Sequence, residues 1–279
     1  MQGILYVVAT PIGNLEDVSF RALRVLREVS LIAAEDTRRT ARLLQHYSIP
    51  TPTTSLHEHN ERARVPRLIQ RLKEGEHIAV VCDAGTPVVS DPGALLVAAA
   101  HDAGIRVEPI PGPNAAIAAL SASGISATGF VFVGFPPSRA LARKHWLLSL
   151  TAETRPVVLY EAPHRIRGLL TDIAEVFPDA LVTIARELTK AHEELVVRPI
   201  SGLNISNVPE RGEFTVIVHC KPSRADEPLP LPTDEQLGAI LGEMTNNDGL
   251  DKRRAIQRLA KRYSVSTNSL YRRLVAAKK

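Results

Sequence analysis

The chain has 279 residues, 44% hydrophobic and 23% charged, enough to bury one full core and more naturally two. Its two cysteines, Cys82 and Cys220, form no CxxC pair, which excludes a disulfide framework and a structural zinc site and fits a reducing cytoplasm. Net charge is +4, but residues 250–279 carry ten Lys/Arg and one acid, Asp251, while the rest carries 24 Lys/Arg against 29 Asp/Glu. A short basic tail on an acidic body points to a local polyanion contact, or in the plainer reading to a solvated helix face.

The N-terminus, MQGILYVVATPIGN, lacks a basic region followed by a cleavage motif and reads as a first strand and turn. No apolar run approaches the roughly 18 residues that span a bilayer, so a soluble cytoplasmic protein is expected. Strand-like and helical patterns then alternate. ILYVVAT is a strand, Leu15–Glu28 a helix, Leu31–Ala34 a strand and Thr37–Tyr47 a helix. Glu61–Glu74 is helical, IAVVCD a strand, Ala94–Ala103 a helix, RVEPI a strand and Asn114–Ala122 an Ala-rich helix. Near-continuous apolar strands between helices predict a parallel sheet covered on both faces.

SASGISATG (121–129) reads as a linker. A second α/β series follows: FVFVGF, a helix at Leu141–Leu150, PVVLYEA, a helix at Ile166–Glu175, LVTIARE and GEFTVIVHC. The Pro-rich KPSRADEPLPLP (221–232) separates a third piece, with helices expected at Asp234–Glu243, Asp251–Tyr263 and Asn268–Ala276. The polar turn SVSTN between two basic helices resembles a helix-turn-helix unit. The expected fold is therefore α/β: a mainly parallel N-terminal domain (1–120), a second α/β domain (128–222) and a small helical domain (231–279).

Four loops follow strand ends in the first domain: TPIGN (10–14), EDTRR (35–39), DAGTP (83–87) and PGPNAA (111–116). In a parallel sheet these ends share the edge where ligands bind. None has a P-loop Lys or a GxGxxG fingerprint, which disfavours triphosphates and dinucleotides. A nucleoside with one carboxylate needs less: backbone N–H donors at Gly85 and the Asn114-Ala115-Ala116 helix start, and acceptors for a ribose. S-adenosylmethionine has that chemistry, though spacing alone does not single it out. SDPG (90–93) is expected to start the next helix rather than touch a ligand.

The set VATPIGNLEDVSFRAL, AAEDTRRT, LHEHNE, VCDAGTPVVSDPG, PIPGPNAAIAALSASG, YEAPHR, ARELTK and GEFTVIV resembles the ribosomal branch of the tetrapyrrole-methylase superfamily, the bacterial 16S rRNA cytidine 2′-O-methyltransferases. The match covers about residues 1–220, and the basic tail resembles that family's C-terminal helical domain. It implies two α/β domains of the tetrapyrrole-methylase type, with a mixed second sheet, S-adenosylmethionine in the cleft between them and a homodimer. It implies a 16S rRNA substrate, within the 30S subunit, methylated at a decoding-centre cytidine. Mapped onto this chain, the cofactor residues are Pro11, Gly13, Asp83, Gly85, Thr86, Pro87, Val88, Asn114, Ala115, Ala116, Gly212, Glu213, Phe214 and Thr215. TPIGN stands where tetrapyrrole enzymes carry a glycine-rich loop, which argues against a tetrapyrrole substrate.

Transfer of a methyl group from a sulfonium to a ribose oxygen needs positioning and a place for the hydroxyl proton. Candidate acceptors are Glu35, Asp36, His57, His59, Glu161, His164 and Glu187, and Lys190 if burial lowers its pKa. Each has a plainer reading. Glu35-Asp36-Thr37 caps a helix, His57 and His59 sit in a loop, Glu161 caps a strand end, and Arg186-Glu187 is an internal ion pair. No metal is expected, since HxH lacks a third ligand of recognisable spacing. Arg38, Arg165 and Arg186 are candidate phosphate contacts near the site. Arg253, Arg254, Arg258, Lys261, Arg262, Arg272 and Arg273 are the candidate RNA contacts of the tail, whose alternative is domain or dimer packing. Two rival functions remain: another enzyme of the superfamily, acting on a tetrapyrrole or a diphthamide precursor, and a non-catalytic nucleic-acid-binding ligand sensor.

Overall fold

A computed structural model describes residues 2–126, 128–219, 232–246, 251–263 and 265–276. The chain divides into two compact units, Met1–Cys220 and Lys221–Lys279.

The first unit opens with β1 (Ile4–Val8), α1 (Phe20–Glu28), β2 (Leu31–Ala34), α2 (Thr37–His46) and β3 (Thr53–Ser55). It continues with α3 (Glu61–Lys73), β4 (Ile78–Val81), α4 (Ala94–Asp102), β5 (Arg106–Ile110) and α5 (Ala115–Ala122). The five strands pair in parallel in the order β3-β2-β4-β1-β5. Leu5 and Val7 of β1 stand opposite Ile78 and Val80 of β4. One face packs Ile32, Ala34, Ala79 and Val81 against α1 and α2. The other packs Leu5, Ala33, Ile78 and Val80 against α3 and α4. Burial on both faces is why the central β2 and β4 are apolar throughout.

The second sheet is built from β6 (Val131–Phe132), β7 (Val157–Glu161), β8 (Leu181–Arg186), β9 (Glu194–Pro199) and β10 (Phe214–His219), with α6 (Ala140–Ser149) and α7 (Ile166–Val176) between. Its order is β6-β7-β10-β8-β9; β6–β7 is parallel and the other pairs are antiparallel. The mixed sheet is the one expected. One face carries α6 and α7 through Leu147, Leu159, Leu169, Ile173 and Val216. The opposite face receives α5, whose Ala116 and Ala119 pack on Val158, Ala185 and Ile217. A helix that follows the first sheet thus closes the core of the second.

Three local expectations need correction. Leu15–Glu28 is two elements, a 3-10 turn at Leu15–Asp17 and then α1, because two caps compete. Asn14 Oδ1 accepts from Glu16 N at 3.1 Å and Ser19 Oγ from Ala22 N at 3.0 Å. Strands β3 and β9 were not expected: three residues carry no readable period, and ELVVRP is an exposed edge without alternation. FVFVGF contributes only two paired residues.

The second unit has α8 (Asp234–Asn246), α9 (Lys252–Arg262) and α10 (Thr267–Ala276) around Leu237, Leu241, Ile256, Leu259, Leu270 and Leu274. Asp251 caps α9, accepting from Arg254 N at 2.9 Å, and Ser266 caps α10, accepting from Ser269 N at 3.1 Å. No helix among the described residues is long and apolar enough to cross a membrane.

Glu61, at the start of α3, is buried, and its Oε1 accepts from the backbone N–H of Gly93 (3.1 Å), Leu95 (2.9 Å) and Leu96 (3.3 Å). These are orphan donors of the α4 N-terminus, and a carboxylate there also meets the positive end of the helix. Glu61→Ala is expected to lower unfolding free energy by about 2 kcal/mol, and Glu61→Gln by less than half of that, in urea denaturation.

Candidate active site

The carboxyl ends of β1, β2, β4 and β5 leave a row of amides that no strand partner satisfies, and the loops satisfy one another. Thr10 and Gly85 exchange backbone bonds, Thr10 N to Gly85 O at 2.8 Å and Gly85 N to Thr10 O at 3.0 Å. Glu35 Oε2 accepts from Asp83 N at 3.1 Å, and Asp83 Oδ1 accepts from Asp36 N at 3.0 Å. Thr86 Oγ1 donates to Pro113 O at 3.1 Å. All four loops expected to converge are therefore tied into one edge. Gly85 sits at φ 87°, where glycine is the natural occupant.

This edge forms one side of a cavity of about 350 Å3, within the range of small-molecule sites. Of the expected cofactor residues, Asp83, Gly85, Thr86, Asn114 and Ala115 line it from the first sheet, and Glu213, Phe214 and Thr215 from the second. Pro11, Gly13, Pro87, Val88, Ala116 and Gly212 are not among its lining residues; their neighbours Ile12 and Val89 are. Gly13 serves packing instead, since a Cβ there would lie 2.5 Å from Lys190 Cγ and 2.8 Å from Leu188 O; glycine lets the first loop approach 188–190. Val88 and Ser90 hold left-handed backbone, φ 74° and 68°, a strained geometry for a β-branched residue that concentrates at ligand sites.

SDPG does more than start a helix, because Ser90 and Asp91 line the cavity. Burial, with Glu35 and Asp83 nearby, raises the Asp91 carboxyl to about 6 despite its hydrogen bond with the Cys82 thiol. Burial chiefly, with Asp91 beside it, pushes the Cys82 thiol up, which leaves it inert.

From the second sheet, Phe135, Tyr160, Pro163 and Leu188 complete the wall. Alternation along β7 sends Tyr160 to the α5 face and Glu161 to the face covered by α6 and α7. The Glu161 side chain is fully enclosed; Oε1 accepts from Ala162 N at 2.8 Å and lies 3.1 Å from Arg165 Nε, while Oε2 has no partner. Burial raises its pKa. Glu161 meets the cavity at the strand end, and its contacts position the 161–165 turn.

The remaining acceptor candidates lie elsewhere. Asp36 caps α2, accepting from Arg38 N at 2.8 Å, and the exposed Arg38 guanidinium holds it well below the usual carboxylate range. His57 pairs with Asn60, its Nε2 3.0 Å from Asn60 Nδ2. Lys190 does not meet its condition. Burial pulls its pKa down, but bonds to Glu187 and Glu213, both at 2.8 Å, outweigh this and the net shift is upward. Lys190 in turn lowers Glu187. Arg186 and Glu187 do not pair with each other, since Arg186 Nε bonds Glu194 at 3.1 Å. Arg165 donates to Pro136 O and Pro137 O at 2.7 and 3.1 Å. Arg165 and Arg186, expected as phosphate contacts, thus spend their guanidinium groups internally.

On the second unit Arg253, Arg254, Arg258 and Arg272 are exposed. Arg273 is tied to Asp234 at 2.6 Å, linking α10 to α8. The side chains of Lys261 and Arg262 lie outside the described residues. Among the described residues no group of three His, Cys, Asp or Glu could hold a metal ion.

Residues 4–204 match the family model of tetrapyrrole (corrin/porphyrin) methylases. The chain is 49% identical over 221 residues to ribosomal RNA small subunit methyltransferase I of Pseudomonas aeruginosa, covering 77% of this chain and 78% of that one. It is 43% identical over 273 residues to the protein of the same name from Synechocystis, 96% of each chain. Among solved structures, uroporphyrin-III C-methyltransferase of Thermus thermophilus, complexed with S-adenosylhomocysteine, has the same fold, with TM-score 0.56 and 17% identity over 78% of this chain and 97% of that one.

Asp91 yields a signed pH prediction. Its folded pKa lies above the ordinary value of 3.8, so its protonated form favours folding, and that stabilising contribution, fully present below about pH 4, is lost as pH rises through about 6. Asp91→Asn is expected to stabilise the ligand-free protein at pH 7.5 by roughly 1–2 kcal/mol and to flatten stability between about pH 4 and 6. Thermal and urea unfolding across that range provide the check.

Proposed function

Because this chain belongs to the tetrapyrrole (corrin/porphyrin) methylase family, we propose that its cavity binds S-adenosylmethionine and serves the methylation of small-subunit ribosomal RNA. The observation that carries the reading is near-complete coverage, tail included, of a relative named for that RNA. The tetrapyrrole and diphthine enzymes share only the fold, at 14–22% identity.

The donor set fits the cofactor. The amides at the start of α5 offer N–H groups for its carboxylate; the Gly85 N–H, expected as a donor, is already given to Thr10 O. Asp83 and Asp91 offer acceptors for ribose hydroxyls and an ammonium, and Ile12, Leu188 and Phe135 supply apolar wall. When bound, S-adenosylmethionine supplies a methyl group on a cationic sulfur. The chain's own residues position the RNA hydroxyl, exclude water and accept its proton. Of the expected acceptors, Glu35 and Glu161 line the cavity; Glu35 is the acceptor in this reading, because the Glu161 side chain is enclosed and holds the 161–165 turn. The acceptor nucleoside is the 2′-hydroxyl of a decoding-centre cytidine of 16S rRNA, reached in the 30S subunit by a cytoplasmic homodimer. Support for these finer points is the family resemblance of the loop motifs.

Mass-spectrometric mapping of small-subunit rRNA from cells lacking the protein is expected to show one 2′-O-methyl cytidine missing, restored in vitro by the wild type on 30S subunits. Glu35→Gln is expected to restore it about 100-fold more slowly with cofactor affinity retained. Intact methylation in the deletion strain refutes the substrate. The tail is the RNA-positioning module: exchanging Arg253, Arg254, Arg258 and Arg272 for Gln is expected to weaken RNA binding. It should also reduce the slope of log K against log salt by about 0.7–0.9 for each phosphate no longer neutralised. An unchanged slope in a binding titration assigns the tail to packing instead.

A further inference from the structure

We infer that Tyr160 and Phe135 recognise the positive sulfur of the methyl donor, and that with Asp91 they set the cavity's preference for the charged donor over its neutral product. This rests on the cofactor reading above and deepens it.

Three observations carry it. First, Phe135 lines the cavity while 58% exposed, an uncovered aromatic at a ligand wall. Its centroid lies 5.6 Å from that of Tyr160 at an interplanar angle of 59°, and Phe132 stands edge-on to Tyr160 at 5.0 Å. The Tyr160 ring is therefore held by a second aromatic while still lining the cavity. Second, the cavity is acid-rich: Glu35, Asp83, Asp91, Glu161 and Glu213 line it, and the single lining cation, Arg39, lies 3.4 Å from Asp83 Oδ2. Third, Asp91 and Tyr160 line the same cavity, so a carboxylate and an aromatic ring border one space. Aromatic faces attract cations through their quadrupole, most strongly when the ion is desolvated, and a thioether lacks that attraction. After methyl transfer the sulfur is neutral, and the same wall favours product release. An aromatic wall could instead stack the adenine, but adenine is common to donor and product and would not discriminate between them.

Calorimetric titration of the full-length protein with S-adenosylmethionine and S-adenosylhomocysteine separates these cases. In Tyr160→Leu and Phe135→Leu the preference for the donor, the ratio of the two Kd values, is expected to fall by about 5- to 30-fold. Tyr160→Phe, which keeps the ring, is expected to retain the ratio within about twofold. Equal weakening of both ligands would overturn the inference in favour of adenine stacking. An unchanged ratio in the Leu variants, or a Phe variant as impaired as Leu, would overturn it as well. If the wild type binds neither ligand, the cofactor reading itself fails. If the wild type binds both and methylates rRNA while the ratio does not move, only this inference falls.

Discussion

The paired amides of Thr10 and Gly85 hold the first and third loops at one spacing, and the rest of the site is arranged around that pair. A parallel sheet ends in backbone groups that have lost their ladder, and burying them unpaired costs of the order of 1–3 kcal/mol each. Here each loop answers the next. Glu35 accepts from Asp83, Asp83 from Asp36, and Thr86 donates to Pro113. The cavity wall is rigid because its atoms are already needed to satisfy the edge. Carboxylates serve as acceptors for backbone N–H groups, so the acids are held in place before any ligand arrives.

That solution has an electrostatic consequence. Acids from three loops meet within a partly enclosed space with one paired arginine for balance, and Asp91 carries the strain as a raised pKa. A site that repels its own charge is disposed toward a cation, and the aromatic pair beside it offers the matching apolar wall. The cost in stability is the ordinary one for a functional cavity.

The structure also divides the arginines by use. Arg165 and Arg186 satisfy carbonyls and a glutamate of their own domain, and Arg273 ties two helices together. Arg253, Arg258 and Arg272 stay exposed on helices whose apolar faces form a small core. All look alike as letters in a chain, because whether a guanidinium is free depends on carbonyls and acids far away in sequence.

By itself the sequence determined the two α/β series, the basic helical tail and the four loops at the ends of β1, β2, β4 and β5, since these depend on periodicity, composition and local turn chemistry. Gly85, Asp83 and Asn114 were legible for that reason. Tertiary structure alone decided which face of β7 meets the cavity, and so brought in Tyr160 while turning the Glu161 side chain toward α6 and α7. It also moved Asp91 from a helix start to a ligand wall, and gave Gly13 a packing role against 188–190. A strand pattern says that neighbouring side chains oppose each other; only the second sheet, packed on α5, says which of them faces a ligand.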